Sequence, residues 1–210
     1  MENTGKFIVF EGLDGSGKST QIRLLEKHLT DRGRKVFLTA EPTNSTTGGI
    51  LRDALSGLTR RTPAELAAAF LLDRIFHNTN PVSGIKKLLA EGYDVICDRY
   101  YYSSLAYQGA ETDMDWVTRM NLECPDIRRP DLCIFIDLDP GKCMERISAG
   151  RASRDIFEEK EKLTRIRDAY FRVFEKLENG YGEHVVTIDG SGSIDETAKK
   201  VAQAADSVCA

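Results

Sequence analysis

The stretch "EGLDGSGKST", residues 11–20, constrains the fold more than any other part of this chain. It follows the short apolar run "KFIVF", and its inner residues 12–19 fit the pattern G-x-x-x-x-G-K-[ST]. Glycines at these spacings let backbone N–H groups point at a phosphate beside a helix N-terminus, where the helix dipole also favours negative charge. Such a match arises by chance in only about 1% of chains of this length. The stretch therefore predicts a strand, a phosphate-binding loop and a helix that together hold a nucleoside triphosphate.

Two side chains of this loop carry chemistry in addition to the backbone groups. Lys18 is expected to reach the β and γ phosphates, and the hydroxyl of Ser19 is expected to ligate Mg²⁺. The predicted ATP contacts are Gly12, Asp14, Gly15, Ser16, Gly17, Lys18, Ser19 and Thr20. The alternative interpretation is an ordinary glycine-rich turn, but the position between an apolar run and a helical pattern favours a phosphate site.

Five short apolar runs lie along the chain, separated by helical patterns. They are rich in Val, Ile and Phe without strict alternation, which is typical of strands buried on both faces of a parallel sheet. The runs are residues 7–12, 36–42, 93–100, 132–138 and 185–190. Capping boxes open helices at Thr62 and Ser193, and apolar spacings of three and four from Leu163 onward indicate a long amphipathic helix. We therefore predict an α/β fold of three layers, with a five-stranded parallel sheet between helices.

Composition excludes several classes of protein. At 210 residues the chain is long enough for one good core, and we expect a single domain over residues 1–210. The formal net charge of −4 argues against a general nucleic-acid binder. No apolar run reaches the roughly 18 residues that span a bilayer, and the five cysteines, which show no close pairs, indicate a reducing compartment. We expect a cytoplasmic protein that binds neither nucleic acid nor membrane.

The acceptor of the phosphoryl group must be inferred from segments beyond the other strand ends, where ligands bind in such folds. GTPases carry a guanine-reading motif such as N-K-x-D, which is absent from this chain. The segment "DRYYYSSLAYQG", residues 98–109, follows a predicted strand and places Asp98 and Arg99 beside the phosphates. Its tyrosines and serines offer flat surfaces and short hydrogen-bonding groups to an acceptor. The alternative is an aromatic loop that packs against the core.

A second segment, "AAAFLLDRIFHN", suits a planar base. Phe70 and Arg74 are four residues apart and so share one face of a helix. A ring beside a guanidinium can stack on a base and bond its carbonyl. The alternative is that Asp73 and Arg74 form a solvated pair at the surface.

A third segment, "ERISAGRASRDIFE", has the composition of a lid over about residues 145–158. Arg151 and Arg154 are three residues apart and follow a glycine, which suits a closing segment that neutralises charge on a transferring phosphoryl group. The alternative is ion pairing of Arg151 with Asp155 along a helix. The first interpretation predicts a kinase whose site is completed by lid arginines.

In these segments taken together, the chain resembles the thymidylate kinases of the P-loop nucleoside monophosphate kinase group. The resemblance runs from "FEGLDGSGKST" through "AEP", "LLDR", "DRYYYSSLAYQG" and "GRASRDIFE" to "IDGSGSIDE", which is nearly the whole length. It implies a P-loop kinase fold and transfer of the γ-phosphoryl group of ATP to dTMP, with Mg²⁺ as cofactor, in dTTP biosynthesis. It also implies a homodimer.

The resemblance implies roles for residues that match the family's motifs on the acceptor side. Phe70 would stack on thymine, Arg74 would bond its O4, and Ser104 would approach the far edge of the base. Tyr107 would crowd the 2′ position of the sugar and so prefer deoxyribose. The implied dTMP contacts are Asp14, Phe70, Arg74, Arg99, Ser104, Tyr107 and Gln108.

For the phosphates, the resemblance implies that Arg99 holds the acceptor phosphate and that Asp14 takes the 3′-hydroxyl or an ion near it. In this family an arginine for the transferred phosphoryl group comes from the phosphate-binding loop or from the lid. Gly15 and Ser16 leave the loop without one, so the match is to the lid-arginine type. The implied catalytic residues are Lys18, Arg99, Arg151 and Arg154.

The chain departs from the family after its second strand. Many members carry Arg just before Glu-Pro, whereas this chain has Ala40, and Glu41 with its proline leads into "TNSTTGG". A phosphate contact from Arg52 is correspondingly left open. Asp98 is expected to hold metal-bound water or Arg99 and not to abstract a proton, because a phosphate acceptor is already ionised at neutral pH.

Two other functions stay open from the sequence alone. A deoxynucleoside kinase would need a carboxylate base for a neutral 5′-hydroxyl, and Glu41 is placed to supply one. A P-loop ATPase or GTPase acting as a switch module would not need the acceptor-type segments. A comparison of dTMP with thymidine as acceptor separates the two kinases, and hydrolysis independent of any acceptor would indicate the switch.

Overall fold

A computed structural model describes residues 4–147 and 153–209, with residues 153–159 described as backbone only. Its sheet has five strands, all parallel, in the order β2-β3-β1-β4-β5. The strands are β1 (Phe7–Gly12), β2 (Lys35–Ala40), β3 (Tyr93–Asp98), β4 (Leu132–Asp137) and β5 (Val185–Asp189). The central strand, β1, leads directly into the phosphate-binding loop, as the sequence predicts.

Helices connect the strands as crossovers. The first four are α1 (Lys18–Thr30), α2 (Thr46–Leu55), α3 (Pro63–Thr79) and α4 (Ile85–Ala90). A short helix α5 (Tyr101–Ser104) continues as a π-helix over Leu105–Gly109. The others are α6 (Met114–Leu122), α7 (Pro140–Ile147), α8 (Ser153–Tyr181) and α9 (Ile194–Cys209). Among the described residues, no helix is long and apolar enough to cross a membrane.

The strands are apolar throughout because each buries both of its faces. In β1, Phe7 and Val9 lie in one core, which also contains side chains of α3, α4, α6 and α8. Ile8 and Phe10 lie in the other core, formed with α1 and α9. Alternate residues of a strand point to opposite faces, so helices on both sides remove all four side chains from water. The predicted three-layer α/β/α P-loop kinase fold is confirmed.

The local signals for helix starts are also confirmed. Thr62 accepts from the backbone N–H of Glu65, whose carboxylate accepts from the N–H of Thr62 in return. Ser193 and Glu196 form the same reciprocal pair ahead of α9. Each pair satisfies donors that a helix N-terminus otherwise leaves free.

Four strands end earlier than their apolar runs, β4 and β5 by one residue and β2 and β3 by two. The runs 36–42 and 93–100 each continue two residues beyond β2 and β3, whose register ends where Ala40 lies opposite Asp98. Beyond this point the chain leaves the sheet for the connections to α2 and α5. Hydrophobicity does not mark the strand end, because the tyrosines that follow β3 are buried in helix α5 and not in the sheet.

Candidate active site

The phosphate-binding loop joins β1 to α1 at the carboxyl edge of the sheet. Its glycines Gly12, Gly15 and Gly17 have φ of 148°, 80° and 102°, a region that residues with a side chain rarely adopt. A Cβ on Gly15 would lie 2.7 Å from the carbonyl oxygen of Cys143. Both the backbone conformation and the lack of space therefore favour glycine at this position, although the motif itself fixes only Gly12 and Gly17.

Lys18 lies beneath the loop with its Nζ donating to the carbonyl oxygens of Gly12 and Leu13, at 3.0 and 3.1 Å. Burial, followed by repulsion from Arg99, lowers the pKa of Lys18 to about 8, against the attraction of nearby carboxylates. An anion bound in the loop would raise this pKa again, because the negative charge stabilises the ammonium form.

A cleft of about 540 Å³ opens above the loop. Every predicted ATP contact except Gly12 lines it, together with Asp98 and Arg99. The cleft is also lined by four residues that the sequence prediction missed, Gly190 and Gly192 from the β5–α9 connection and Ile194 and Thr197 from α9. They reach the cleft because β5 is two strands from β1 and its carboxyl end lies at the same edge of the sheet.

Arg146, at the end of α7, also lines this cleft and was not among the predicted site residues. Its guanidinium donates to the carbonyl oxygens of Gly15 and Ser16, at 3.2 and 3.3 Å. Arg146 therefore stabilises the loop conformation and adds positive charge to the cleft.

Arg99 follows β3 and reaches across to the phosphate-binding loop. Its φ of 69° is the only positive value found for a non-glycine residue within 4–147 and 153–209. One terminal nitrogen donates to Ser103 and Tyr170, and the other lies 2.6 Å from the carboxylate of Asp14. Although burial opposes the effect, the charges of Arg99 and Lys18 lower the pKa of Asp14. The structure thus brings together residues that the sequence separates by 85 positions.

Oxygen ligands for a metal ion lie beside these cations. Oδ1 of Asp98 is buried and has no hydrogen-bond partner among the described residues, and Asp98 shares the cleft with the exposed Ser19. A free carboxylate oxygen and a hydroxyl are the donors that Mg²⁺ prefers. The described ranges contain no group of three His, Cys, Asp or Glu side chains that could hold a metal by themselves. The residues fit a Mg²⁺ that takes most of its ligands from phosphates and water.

Arg74 is buried, and other side chains hold its guanidinium in place. Nε and one terminal nitrogen contact the same oxygen of Glu41, at 2.8 and 2.7 Å. The terminal nitrogens also donate to Ser104 and Asn121. These four contacts leave one of the five N–H groups of Arg74 for a ligand. Asn121 was missed in the sequence, because its α6 helix carries no recognisable motif.

The neighbouring Asp73 is not the solvated partner of Arg74 considered above. It is fully buried and accepts from the backbone N–H and hydroxyl of Thr43, at 2.7 and 2.6 Å, and from Thr47 at 2.7 Å. The physical reason is helix geometry, since consecutive residues point 100° apart. Asp73 therefore anchors the β2–α2 connection, while Arg74 faces Glu41, Ser104 and Asn121. Half-buried Phe70 lies one turn before it on α3, and neither Phe70 nor Arg74 lines the cleft above the phosphate-binding loop.

The tyrosine-rich segment, residues 98–109, was predicted either to contact the acceptor or to pack against the core, and its residues divide between these two interpretations. Tyr100, Tyr101 and Tyr102 are fully buried in the core and are not available to an acceptor. Tyr107, on the π-helix, is half-buried with its ring under the guanidinium of Arg99 at 5.8 Å. Ser104 is buried against Arg74, and Gln108 is buried on the same π-helix. The core alternative is correct for three tyrosines, and Tyr107 remains a candidate contact.

The described structure does not place two groups of predicted residues in this cleft. Arg151 and the side chain of Arg154, on which the lid prediction rests, lie outside the described residues. Arg52 donates to the carbonyl oxygens of Thr43 and Ser45, within the β2–α2 connection. The structure therefore assigns Arg52 a local contact that holds this connection to α2.

A central phosphate-binding loop, a 2-3-1-4-5 parallel sheet and arginines facing the loop define a P-loop nucleotide kinase. The family model for thymidylate kinases matches residues 10–201, and the chain belongs to the thymidylate kinase family of nucleoside monophosphate kinases.

Similar proteins include a putative thymidylate kinase of Treponema pallidum, 35% identical over 196 residues that cover 93% of this chain and 92% of that protein. A probable thymidylate kinase of Methanocaldococcus jannaschii is 39% identical over 171 residues, covering 81% and 82%. A thymidylate kinase of Leptospira borgpetersenii is 36% identical over 195 residues, covering 92% and 90%.

Proposed function

We propose that this protein transfers the γ-phosphoryl group of ATP to dTMP, giving ADP and dTDP for dTTP biosynthesis. The observation that carries this proposal is the position of Arg99. Its guanidinium lies at the edge of the phosphate-binding loop, 2.6 Å from Asp14 and in the same cleft as Lys18. A monophosphate held by Arg99 would therefore lie against the γ-phosphate end of a bound ATP.

Alignment and charge neutralisation are sufficient for this transfer. The acceptor oxygen is already ionised at neutral pH, so no general base is needed. Lys18 neutralises the β and γ phosphates, Arg99 holds the acceptor phosphate, and Arg151 and Arg154 neutralise the transferred group from the lid. When bound, Mg²⁺ supplies further charge neutralisation across the β and γ phosphates, held by Ser19 and, through water, by Asp98.

Base recognition is assigned to the region around Arg74. We propose that Phe70 stacks on thymine and that the remaining N–H of Arg74 donates to O4, with Ser104 and Gln108 at the edge of the base. The fixed guanidinium supports this. Its N–H cannot turn away, so it can donate to a carbonyl oxygen of the base but is unfavourable beside an amino group. Tyr107 and Asp14 are assigned to the sugar, with Tyr107 opposing a 2′-hydroxyl.

The contacts of Glu41 do not favour a deoxynucleoside kinase. This carboxylate is 4% exposed, and its two oxygens are held by Arg74 and by Nδ1 of His77 at 3.0 Å. A general base must reach the proton that it abstracts. Glu41 is committed to orienting Arg74 and is not free to act as that base.

The deciding experiment is an acceptor screen under steady-state conditions. Purified protein is supplied with ATP and Mg²⁺ and with dTMP, thymidine, dUMP, UMP or dCMP at equal concentration, and ADP formation is measured. We expect dTMP to give the highest kcat/KM and thymidine to give none above background. Faster turnover of thymidine than of dTMP would overturn the proposal, and ATP hydrolysis unaffected by any acceptor would indicate a switch module.

We also propose that the protein forms a homodimer through α2 and α3. Large apolar side chains on and beside these helices are exposed: Ile50, Leu55, Leu58, Leu72 and Phe76. Leu72 and Phe76 are one turn apart on α3, which forms a continuous apolar face of the kind that marks protein interfaces. The cytoplasmic location stays a prediction, supported by five free thiols.

Sedimentation velocity tests the homodimer. The double substitution Leu72→Glu with Phe76→Glu should convert a dimer to a monomer, because it places charges in the proposed apolar interface. Val82→Glu, at another exposed apolar residue outside these helices, should leave the mass unchanged. A wild-type protein that sediments as a monomer at micromolar concentration would contradict the proposal.

A further inference from the structure

Behind Arg99 lies a closed group of hydrogen bonds that the proposed reaction does not use. The hydroxyls of Ser103 and Tyr170 both donate to Oε2 of Glu11, at 2.6 and 2.9 Å, and lie 2.8 Å from each other. Both hydroxyl oxygens accept from one terminal nitrogen of Arg99, at 3.2 and 3.1 Å. Since each hydroxyl hydrogen points to Glu11, the oxygen lone pairs face the guanidinium. The carboxylate thus sets the polarity of both contacts.

The group is rigid on the side away from the cleft. Glu11 is fully buried in β1, and its other oxygen accepts from the backbone N–H groups of Tyr100 and Ser103, at 2.9 and 3.2 Å. The ring of Tyr170 is fully buried against Phe135, with ring centroids 5.0 Å apart. Burial raises the pKa of Glu11, while the charge of Arg99 and these hydrogen bonds oppose the rise.

We propose that Tyr170 and Ser103, oriented by Glu11, hold the guanidinium of Arg99 in the direction that receives the acceptor phosphate. This inference rests on the proposed function, in which Arg99 binds that phosphate. Holding one terminal nitrogen from behind leaves the other, now beside Asp14, aimed into the cleft. A long side chain fixed in this way loses little freedom when the phosphate binds, so Tyr170 is a positioning residue.

The chain contains a matched control in Tyr101. This tyrosine is also fully buried, and its hydroxyl also donates to a buried carboxylate, Oε2 of Glu183, at 2.8 Å. Glu183 precedes β5 and lies at the amino edge of the sheet, away from the phosphate-binding loop. Tyr170→Phe and Tyr101→Phe therefore remove the same chemical group from similar surroundings, but only the first removes a contact to Arg99.

Steady-state kinetics of the two variants test the proposal, with thermal unfolding as a check of the fold. Tyr170→Phe should lower kcat/KM for the acceptor nucleotide roughly tenfold, as expected for one hydrogen bond to a charged group, and should leave KM for ATP unchanged. Tyr101→Phe should leave both parameters unchanged. Equal kinetic parameters for the two variants would overturn the proposal.

A double-mutant cycle provides the second measurement. Ser103→Ala should also lower kcat/KM for the acceptor, and adding it to Tyr170→Phe should cost less than the product of the two single effects, because both act on one guanidinium. Added to Tyr101→Phe, it should act independently. If Tyr170→Phe and Ser103→Ala multiply as independent changes, the shared orientation of Arg99 is refuted.

The two levels of the proposal can fail separately. Should the wild-type protein phosphorylate another monophosphate better than dTMP, the proposed function is wrong, and the same variants are compared with that acceptor. A tenfold loss confined to Tyr170→Phe then still supports the positioning of Arg99. With dTMP as the preferred substrate and no difference between the tyrosine variants, the inference alone is wrong.

Discussion

The donor half and the acceptor half of the proposed active site would hold their ligands by different physical means. The donor half, residues 12–20, offers backbone N–H groups to a phosphate in a loop whose shape depends on glycines. The acceptor half relies on one side chain, Arg74, clamped by Glu41, Ser104 and Asn121. The first is local and partly open to solvent, and the second is buried and assembled from distant segments. Damage to the donor half should therefore affect ATP and turnover, whereas damage to the acceptor half should affect dTMP and the fold together.

The largest effect is expected from Lys18→Met, which removes the only side chain of residues 12–20 that carries a positive charge at neutral pH. We expect kcat to fall by about 10²–10³, the cost of removing one group that stabilises charge in a transition state. The melting temperature should not fall, because the charge of Lys18 is buried unfavourably, as its pKa lowered to about 8 indicates. Stopped-time ADP assays and melting curves measure both. A kcat within tenfold of wild type would contradict the role of Lys18.

Glu41→Gln is the corresponding change in the acceptor half. It leaves the guanidinium of Arg74 buried without its counter-charge, and both side chains are at most 2% exposed. Breaking such a pair costs about 3–5 kcal/mol, so the free energy of unfolding in urea should fall by about that amount. KM for dTMP should rise, while KM for ATP stays unchanged.

The exposed pair of Lys27 and Asp31 provides the control for this change. Its side chains are 72% and 60% exposed, so Asp31→Asn should leave the urea midpoint and both KM values at wild-type levels. Equal effects of Glu41→Gln and Asp31→Asn would remove the proposed contrast between the two halves.

A smaller effect is expected from Gly15→Ala in the donor half. The added Cβ meets a backbone carbonyl at 2.7 Å, and overpacking of this kind costs about 1–3 kcal/mol. KM for ATP should rise roughly ten- to a hundredfold. Gly33→Ala is the control, because Gly33 has a similar φ of 77° but nothing within 4 Å of the added Cβ. Both variants should lose some stability to backbone strain, and only Gly15→Ala should lose ATP affinity.

The smallest change is a shift of pH, which acts on the donor half through Lys18. With its pKa at about 8, kcat/KM for ATP should fall about tenfold between pH 7 and pH 9 as the ammonium loses its proton. The contribution of Lys18 to the free energy of unfolding changes with pH in the opposite direction to kcat/KM. An unfolded lysine keeps its proton up to about 10.5, so the unfolded chain binds more protons between pH 8 and 10.5, and stability from this group rises across that window. A flat profile for kcat/KM through pH 9 would contradict the lowered pKa.

The sequence predicted the donor half in detail and the acceptor half only in part. The motif placed Gly12, Gly17, Lys18 and Ser19, and the last three of these line the cleft. On the acceptor side, the sequence showed that Phe70 and Arg74 share a helix face, and a resemblance to a family suggested their roles, whereas the contact of Arg74 with Asn121 was not predicted. That contact joins residues 47 positions apart on different helices, and a hydrogen bond of this kind leaves no periodic pattern.

Short apolar runs likewise predicted the five strands but extended beyond the ends of four of them. The reason is that burial and strand pairing are separate properties. Tyr100 continues the apolar run of β3 and is fully buried, but its backbone N–H donates to Glu11 and not to the β2 strand. An apolar run therefore reports removal from water, and only the register of the sheet shows where the ladder stops.

By itself, the sequence determined the parallel sheet, the phosphate-binding loop and the positions of its glycines, because these depend on short-range backbone geometry and on local apolar patterns. Only the tertiary structure decided which partner each buried charge has. Glu41 meets Arg74 across 33 positions, and Tyr170 meets Glu11 across 159. Desolvation makes an unpaired buried charge costly, so the fold must pair each of these groups. The choice of partner depends on which elements the sheet and its helices bring together in space.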